Sequence, residues 1–230
     1  MGVGGRIHVM IFSDIDAILF DMDGVLCDSE AFIAEAAARM LKETYGIAPT
    51  HKDFAPFVGT GEDRFIGGTA AAFGVTVSLP RDKDRTYAIY LDLIKGRLRP
   101  LPGVHDFIAQ AQRRGLKLAV ASSADEIKVH ANLREIGLPL STFGAIVCAK
   151  DVVHKKPAPD IFLAAAQRLG VLPSRALVIE DAVTGIRAAV AAGCPALGIT
   201  TSFDAATLMA AGASLAAPDL DDMISISMEA

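Results

Sequence analysis

Asp21 and Asp23, with Met22 between them and Gly24 behind, follow directly on the apolar run Ala17-Ile18-Leu19-Phe20. Three other polar groups stand in the same relation to apolar runs. Ser122-Ser123 follows residues 116–121, Glu180-Asp181 follows residues 176–179, and Lys155-Lys156-Pro157 lies a short loop beyond residues 145–148. Four carboxylates brought into one crevice would repel and raise one another's pKa unless a cation joined them. Every candidate ligand here is an oxygen, which favours a hard ion such as Mg²⁺ over Zn²⁺. In such a site a carboxylate can attack phosphorus and form an aspartyl-phosphate, dividing one difficult displacement into two easier ones. A second carboxylate two residues on would protonate the departing alkoxide and then deprotonate the attacking water. Lys156 and the Ser122 hydroxyl would hold the phosphoryl oxygens, with Mg²⁺ offsetting charge on the phosphate and on Asp21.

The elements that must position these groups read as strands alternating with helices. Short apolar runs at 17–20, 116–121, 145–148, 176–179 and 196–199 have the pattern of buried parallel strands. Between them lie helical periodicities at 104–114, 127–136, 159–169 and 182–192, stopped by Gly115, Gly137, Gly170 and Gly193. This alternation predicts a parallel sheet covered by helices on both faces, with ligands outside the carboxyl ends of the strands. One stretch departs from it. From Glu30 to Arg97 there are only helical patterns, at 31–45, 60–73 and 81–95, before Pro100 and Pro102. The expectation is a core of residues 1–29 and 98–230 carrying an all-helical cap of residues 30–97.

Each motif alone has a plainer reading. A D-x-D before Gly is often a solvated turn, and Ser122-Ser123 could merely cap the next helix. A calcium loop of the EF-hand type needs an oxygen ligand and then Gly where Val25 and Leu26 stand. Glu180-Asp181 is harder to dismiss, because acids ending an apolar strand face a crevice in which unpaired charge is costly. The five histidines show no ligand spacing, and no G-x-S-x-G elbow or Walker loop is present.

Taken in order, the motifs resemble those of the haloacid dehalogenase (HAD) superfamily. D-M-D-G-V-L-C-D-S at 21–29 is similar to its first motif and A-V-A-S-S at 119–123 to its second. K-P-A-P-D-I-F at 156–162 resembles the third and V-I-E-D-A-V-T-G-I-R-A-A at 178–189 the fourth. The resemblance implies a Rossmann-like α/β core with a helical cap inserted after the first strand. It also implies Asp21 as nucleophile, Asp23 as acid and base, and Mg²⁺ held by Asp21, the Asp23 carbonyl and Asp181, with Glu180 beside them. The segment F-V-G-T-G-E at 57–62 is similar to the HAD module of plant and algal thylakoid proteins that suppress non-photochemical quenching.

The expected activity is a Mg²⁺-dependent phosphatase on a small phosphorylated metabolite. HAD dehalogenases lack the second Asp, so Asp23 points to phosphoryl transfer. The rivals are a β-phosphoglucomutase-like phosphomutase and a catalytically silent HAD module that binds a partner. Mutases of that kind carry a His where this chain has Ala31, Phe32 and Ile33, and a Lys and an Asn where it has Asp125 and Glu126. Substrate contacts are expected at Gly24 and Ser123, and at Gly59, Thr60, Gly61 and Glu62 on a Gly-flanked loop closing over the leaving group.

Composition limits the remaining classes. A net charge of −5 with no basic tract disfavours nucleic-acid and acidic-membrane partners. Asp14 and Asp16 interrupt the one N-terminal apolar stretch, so no membrane insertion is expected. The cysteines Cys27, Cys148 and Cys194 form no C-x-x-C pair and suit a reducing compartment such as the cytoplasm, with the chloroplast stroma as the alternative that the resemblance of residues 57–62 implies. Residues 1–6 are Gly-rich and read as a flexible leader. Nothing in the sequence bears on oligomeric state.

Overall fold

The computed structural model describes residues 14–57 and 61–223; the leader and Gly59 and Thr60 of the cap loop lie outside them. In chain order the chain forms β1 (Ala17–Phe20), α1 (Glu30–Tyr45), α2 (His51–Phe54), α3 (Glu62–Ala72), α4 (Leu79–Ile94) and α5 (Val104–Arg113). It continues with β2 (Lys117–Ala121), α6 (Glu126–Glu135), β3 (Ala145–Val147), α7 (Asp160–Leu169) and β4 (Ala176–Glu180). The last elements are α8 (Val183–Ala191), β5 (Ala196–Ile199), α9 (Ala205–Ala211) and β6 (Leu215–Ala217).

Contacts divide the chain into two compact units. The first holds the residues through Cys27, Pro100–Ser122 and those from Ser141 onward. The second holds Asp28–Arg99 and Ser123–Leu140.

In the first unit six parallel strands pair in the order β3-β2-β1-β4-β5-β6. The chain runs outward from β1 through β2 to β3, then crosses back to start again at β4. Strand order therefore reverses around β1, and a crevice forms at such a reversal outside the carboxyl ends of the strands. Register sets Phe20 level with Val120 and with Ile179, so the residues that follow β1, β2 and β4 emerge at one height. β1 is buried along its whole length, as an apolar strand covered on both faces must be. On one face Leu19, Ala119, Val147 and Val178 pack with Phe162 of α7 and Ile186 of α8. On the other, Phe20 meets Phe107 of α5 edge-to-face with ring centres 6.1 Å apart. The α/β parallel-sheet architecture expected from the sequence is present. The glycines expected to stop the helices, Gly115, Gly137, Gly170 and Gly193, all have positive φ.

The second unit contains only helices among its described elements. Ile33, Ala37, Met40 and Leu41 of α1 are buried, as are Tyr90 and Ile94 of α4. Phe54 stacks on Phe65 with centroids 4.8 Å apart. The sequence pattern sets α6 between core strands, yet by its contacts it falls in this unit. Buried Asn132 accepts the Tyr90 hydroxyl and donates to Ser29 Oγ at 3.2 Å, which binds α6 to α4 and to the start of α1. No helix among the described residues is long and apolar enough to cross a membrane.

Candidate active site

β1 ends at Phe20, and Asp21 still keeps the ladder by donating its N–H to the Ile179 carbonyl at 3.0 Å. A tight turn follows. Gly24 donates to the Cys27 carbonyl at 2.8 Å, and Leu26 and Cys27 both donate to the Met22 carbonyl. Gly24 has φ +77°. A Cβ placed there would lie 1.9 Å from Asp181 Oδ2 and 3.0 Å from Thr201 Oγ1. Both backbone conformation and crowding therefore require glycine at this turn.

Lys156 collects the strand ends. Its Nζ donates to Asp21 Oδ1, to Glu180 Oε1 at 2.7 Å and to the Ala121 carbonyl at 3.1 Å, joining the ends of β1, β2 and β4. Three donors and no acceptor on one ammonium make it suited to this. Nζ also lies 4.9 Å from the Phe162 ring centre. The neighbouring Lys155 is exposed, so burial distinguishes two lysines that sequence placed side by side. Ser122 is 3% exposed and donates its N–H to the Val147 carbonyl at 3.0 Å.

Glu180 is 1% exposed and both its oxygens are engaged. Oε1 accepts from Lys156, and Oε2 accepts the N–H groups of Asp181 at 2.9 Å and of Ala182 at 2.8 Å. Gly185, in the first turns of α8, leaves room for this carboxylate; a Cβ there would lie 1.7 Å from Oε1. Asp181 reaches the other way. Ser202 Oγ donates to its Oδ2, and Thr201 Oγ1 lies 3.3 Å from the same atom while donating to the Gly24 carbonyl at 2.7 Å.

The electrostatics follow from three buried acids, Asp21, Glu180 and Asp181, around one buried ammonium. Burial pushes Asp181 up to about 8, with the charges of Glu180 and Asp21 adding to it. Burial likewise pushes Asp21 up to about 7; Lys156 opposes this and Glu180 and Asp23 reinforce it. Burial opposes the charge on Lys156, but Asp21 and Glu180 together hold its pKa above the ordinary range. Lys156 is thus firmly charged, and the acids still carry more negative charge than it offsets. Among the described residues no three acidic, histidine or cysteine side chains are gathered as a ready-made metal site. Asp21 and Glu180 are instead drawn onto Lys156, and Asp181 onto the turn after β5. The donor chemistry fits a hard divalent cation all the same: oxygens throughout, and buried negative charge in excess.

The first unit therefore brings together Asp21, Gly24, Lys156, Glu180 and Asp181, with Asp23 and Ser122 on the same strand ends. Ser123, Gly61 and Glu62 belong to the second unit, and Gly59 and Thr60 lie outside the described residues. In the second unit Glu62 is buried with its Oε1 3.9 Å from Lys128 Nζ, and Asp125 accepts from Lys83 at 2.9 Å and from Tyr87 at 3.0 Å. Sequence reasoning assigned nothing to Thr201, Ser202 or Gly185. The turn at 200–202 follows an apolar run just as the four motifs do, but uncharged hydroxyls there give no signal of their own.

Residues 15–193 match the family of haloacid dehalogenase-like hydrolases. The chain is 45% identical over 212 residues to the protein SUPPRESSOR OF QUENCHING 1, chloroplastic, of Arabidopsis thaliana, covering 91% of this chain and 20% of that protein. It thus spans about a fifth of that relative's length. It is 31% identical over 201 residues to a phosphorylated carbohydrates phosphatase of Thermotoga maritima, covering 86% of this chain and 92% of that one. Among solved structures it resembles CbbY from Rhodobacter sphaeroides in complex with phosphate, with TM-score 0.80 and 28% identity over 91% of this chain and 96% of that one. With the family match covering most of the chain and the four motifs falling at the ends of adjacent parallel strands, this protein belongs to the haloacid dehalogenase-like hydrolases.

Proposed function

We propose that the chain is a Mg²⁺-dependent phosphatase acting on a small phosphorylated metabolite through an aspartyl-phosphate on Asp21. The observation that carries this is the buried Lys156 ammonium bonded at once to Asp21 and Glu180, a cationic cradle beside a carboxylate at a strand end. The name of the Thermotoga relative supports the same reaction class, and the CbbY structure was solved in complex with phosphate.

An Asp21 oxygen attacks phosphorus while the bond to the leaving oxygen breaks, and Asp23 gives its proton to the departing alkoxide. Water then attacks the aspartyl-phosphate, Asp23 takes the water's proton, and phosphate and the free carboxylate are regenerated. Ser122 holds one equatorial oxygen, and Lys156 holds another by exchanging its bond to Asp21 for one to the phosphoryl group. Mg²⁺, when bound, offsets negative charge on the phosphoryl group and the carboxylates. Asp21, Asp181 and the Asp23 carbonyl would hold it. Glu180 has both oxygens committed to Lys156 and the backbone, and serves as the anchor of that lysine.

We assign substrate selection to the helical cap of residues 30–97, through Gly61 and Glu62 and their neighbours Gly59 and Thr60. Asp125 stands where a mutase has a cationic or amide side chain, but Lys83 beside it offsets its charge. The preference for phosphatase over mutase therefore rests on the absent His and on the curated relatives named as phosphatases. Of the two compartments expected, the chloroplast stroma has the support of the chloroplastic relative. The test is phosphate release from a panel of phosphorylated metabolites with and without Mg²⁺. Release requiring both the metal and Asp21 supports the proposal. A folded, Mg²⁺-binding protein that turns over no panel member would return the choice to a mutase or a silent module.

A further inference from the structure

Four polar atoms from three separate segments meet beside Gly24. The turn after β1 supplies the Gly24 carbonyl, the end of β4 supplies Asp181, and the turn after β5 supplies the hydroxyls of Thr201 and Ser202. The approach is so close that a single methyl on Gly24 would collide with both Asp181 and Thr201. Each hydroxyl has one proton to give. Thr201 directs its proton to the Gly24 carbonyl at 2.7 Å, the nearer of its two acceptors. Ser202 directs its proton to Asp181 Oδ2. Both hydroxyls address Oδ2, and among the described residues no side chain bonds Oδ1, which stays available to a ligand. A neutral donor on one oxygen fixes the orientation of the carboxyl group and, unlike an ammonium, brings no positive charge to compete with a cation.

We propose that Thr201 and Ser202 are positioning residues for the cation site, fixing the Asp181 carboxylate and the Gly24 carbonyl turn so that Mg²⁺ finds its ligands already placed. The inference rests on the reading of Asp181 as a cation ligand. Partners behind a metal ligand typically change affinity by about 10–100-fold when removed. The turn here is exposed, so the lower end applies.

The experiment is calorimetric titration of the metal-free full chain with MgCl₂ alone, together with the melting temperature in EDTA and in Mg²⁺. The parent, Asp181→Asn, Ser202→Ala, Thr201→Val and the hydroxyl-retaining Thr201→Ser are compared. We expect Ser202→Ala and Thr201→Val each to raise the Mg²⁺ dissociation constant about tenfold. The melting temperature in EDTA should stay near that of the parent, and Thr201→Ser should restore the affinity. Affinities within twofold of the parent for both variants would overturn the proposal while leaving the cation site intact. Equal loss of melting temperature with and without Mg²⁺ would overturn it too, by showing a purely structural turn. A parent that binds no Mg²⁺, or an Asp181→Asn variant that binds it as tightly as the parent, would sink the underlying cation reading as well. Should one variant not fold, the other carries the same test, because each hydroxyl holds a different group.

Discussion

Lys156 decides the charge balance at the residue scale. Its side chain is 6% exposed and is shared by Asp21 and Glu180. Removing one partner from a buried ion pair leaves uncompensated charge and costs about 3–5 kcal/mol. Lys156→Ala should lose stability of that order at neutral pH by urea denaturation, because Asp21 and Glu180 lose the ammonium they share. Asp21→Asn removes the proposed nucleophile with little change of shape, and phosphate release should fall by roughly 10³-fold or more. The raised pKa values give a third expectation. A carboxyl that titrates at about 8 in the folded chain, as Asp181 does, binds a proton there that the unfolded chain has already released above about pH 4. Stability from this group is therefore full below that range and is lost as pH rises toward 8. Metal-free parent should lose stability relative to Asp181→Asn between pH 5 and pH 9, and Mg²⁺ affinity should climb over the same interval as the metal displaces the proton.

At the scale of elements, helix propensity and site geometry oppose each other at Gly185. In the interior of α8 an Ala would ordinarily add about 1 kcal/mol over Gly. Here its Cβ would lie 1.7 Å from Glu180 Oε1, a carboxylate pinned by an ammonium and two backbone amides. Gly185→Ala should be destabilising, with the urea midpoint lowered, and should weaken catalysis through the displaced Lys156. A raised midpoint would show that Glu180 can move aside freely. β1 holds Asp21 in place only because its apolar residues are locked on both faces. Phe20 is fully buried against Phe107 and Phe143, so Phe20→Ala should cost about 3–5 kcal/mol.

At the scale of the whole molecule there are two units with separate cores; the proposed phosphoryl chemistry lies in the first, and selection is assigned to the second. Glu62 is central to the second, buried at the start of α3 near Lys128. Glu62→Gln keeps its shape and removes its charge. Its relative kcat/KM values across a phosphate panel should shift by roughly tenfold between members, since a buried polar group that loses its match discriminates strongly. Uniform values across the panel would take selection away from this loop.

The sequence by itself determined the apolar runs, the glycines that stop the helices, the all-helical stretch after β1, and the order of acids, serine and lysine at the strand ends. These are local properties, written in neighbouring residues and their periodicity. Tertiary structure decided what converges. It chose Lys156 over Lys155 by burying one and exposing the other, and joined it to Asp21 across 135 residues of chain. It placed α6 with the helical unit through Asn132, a polar residue whose partners lie on α1 and α4. It added β6, three residues too short and too small to read as a strand until β5 offered them a ladder. It also brought Thr201 and Ser202 onto Asp181. Hydroxyls and backbone carbonyls carry no charge to mark them in a sequence, and their role exists only where three distant turns are packed within hydrogen-bonding reach.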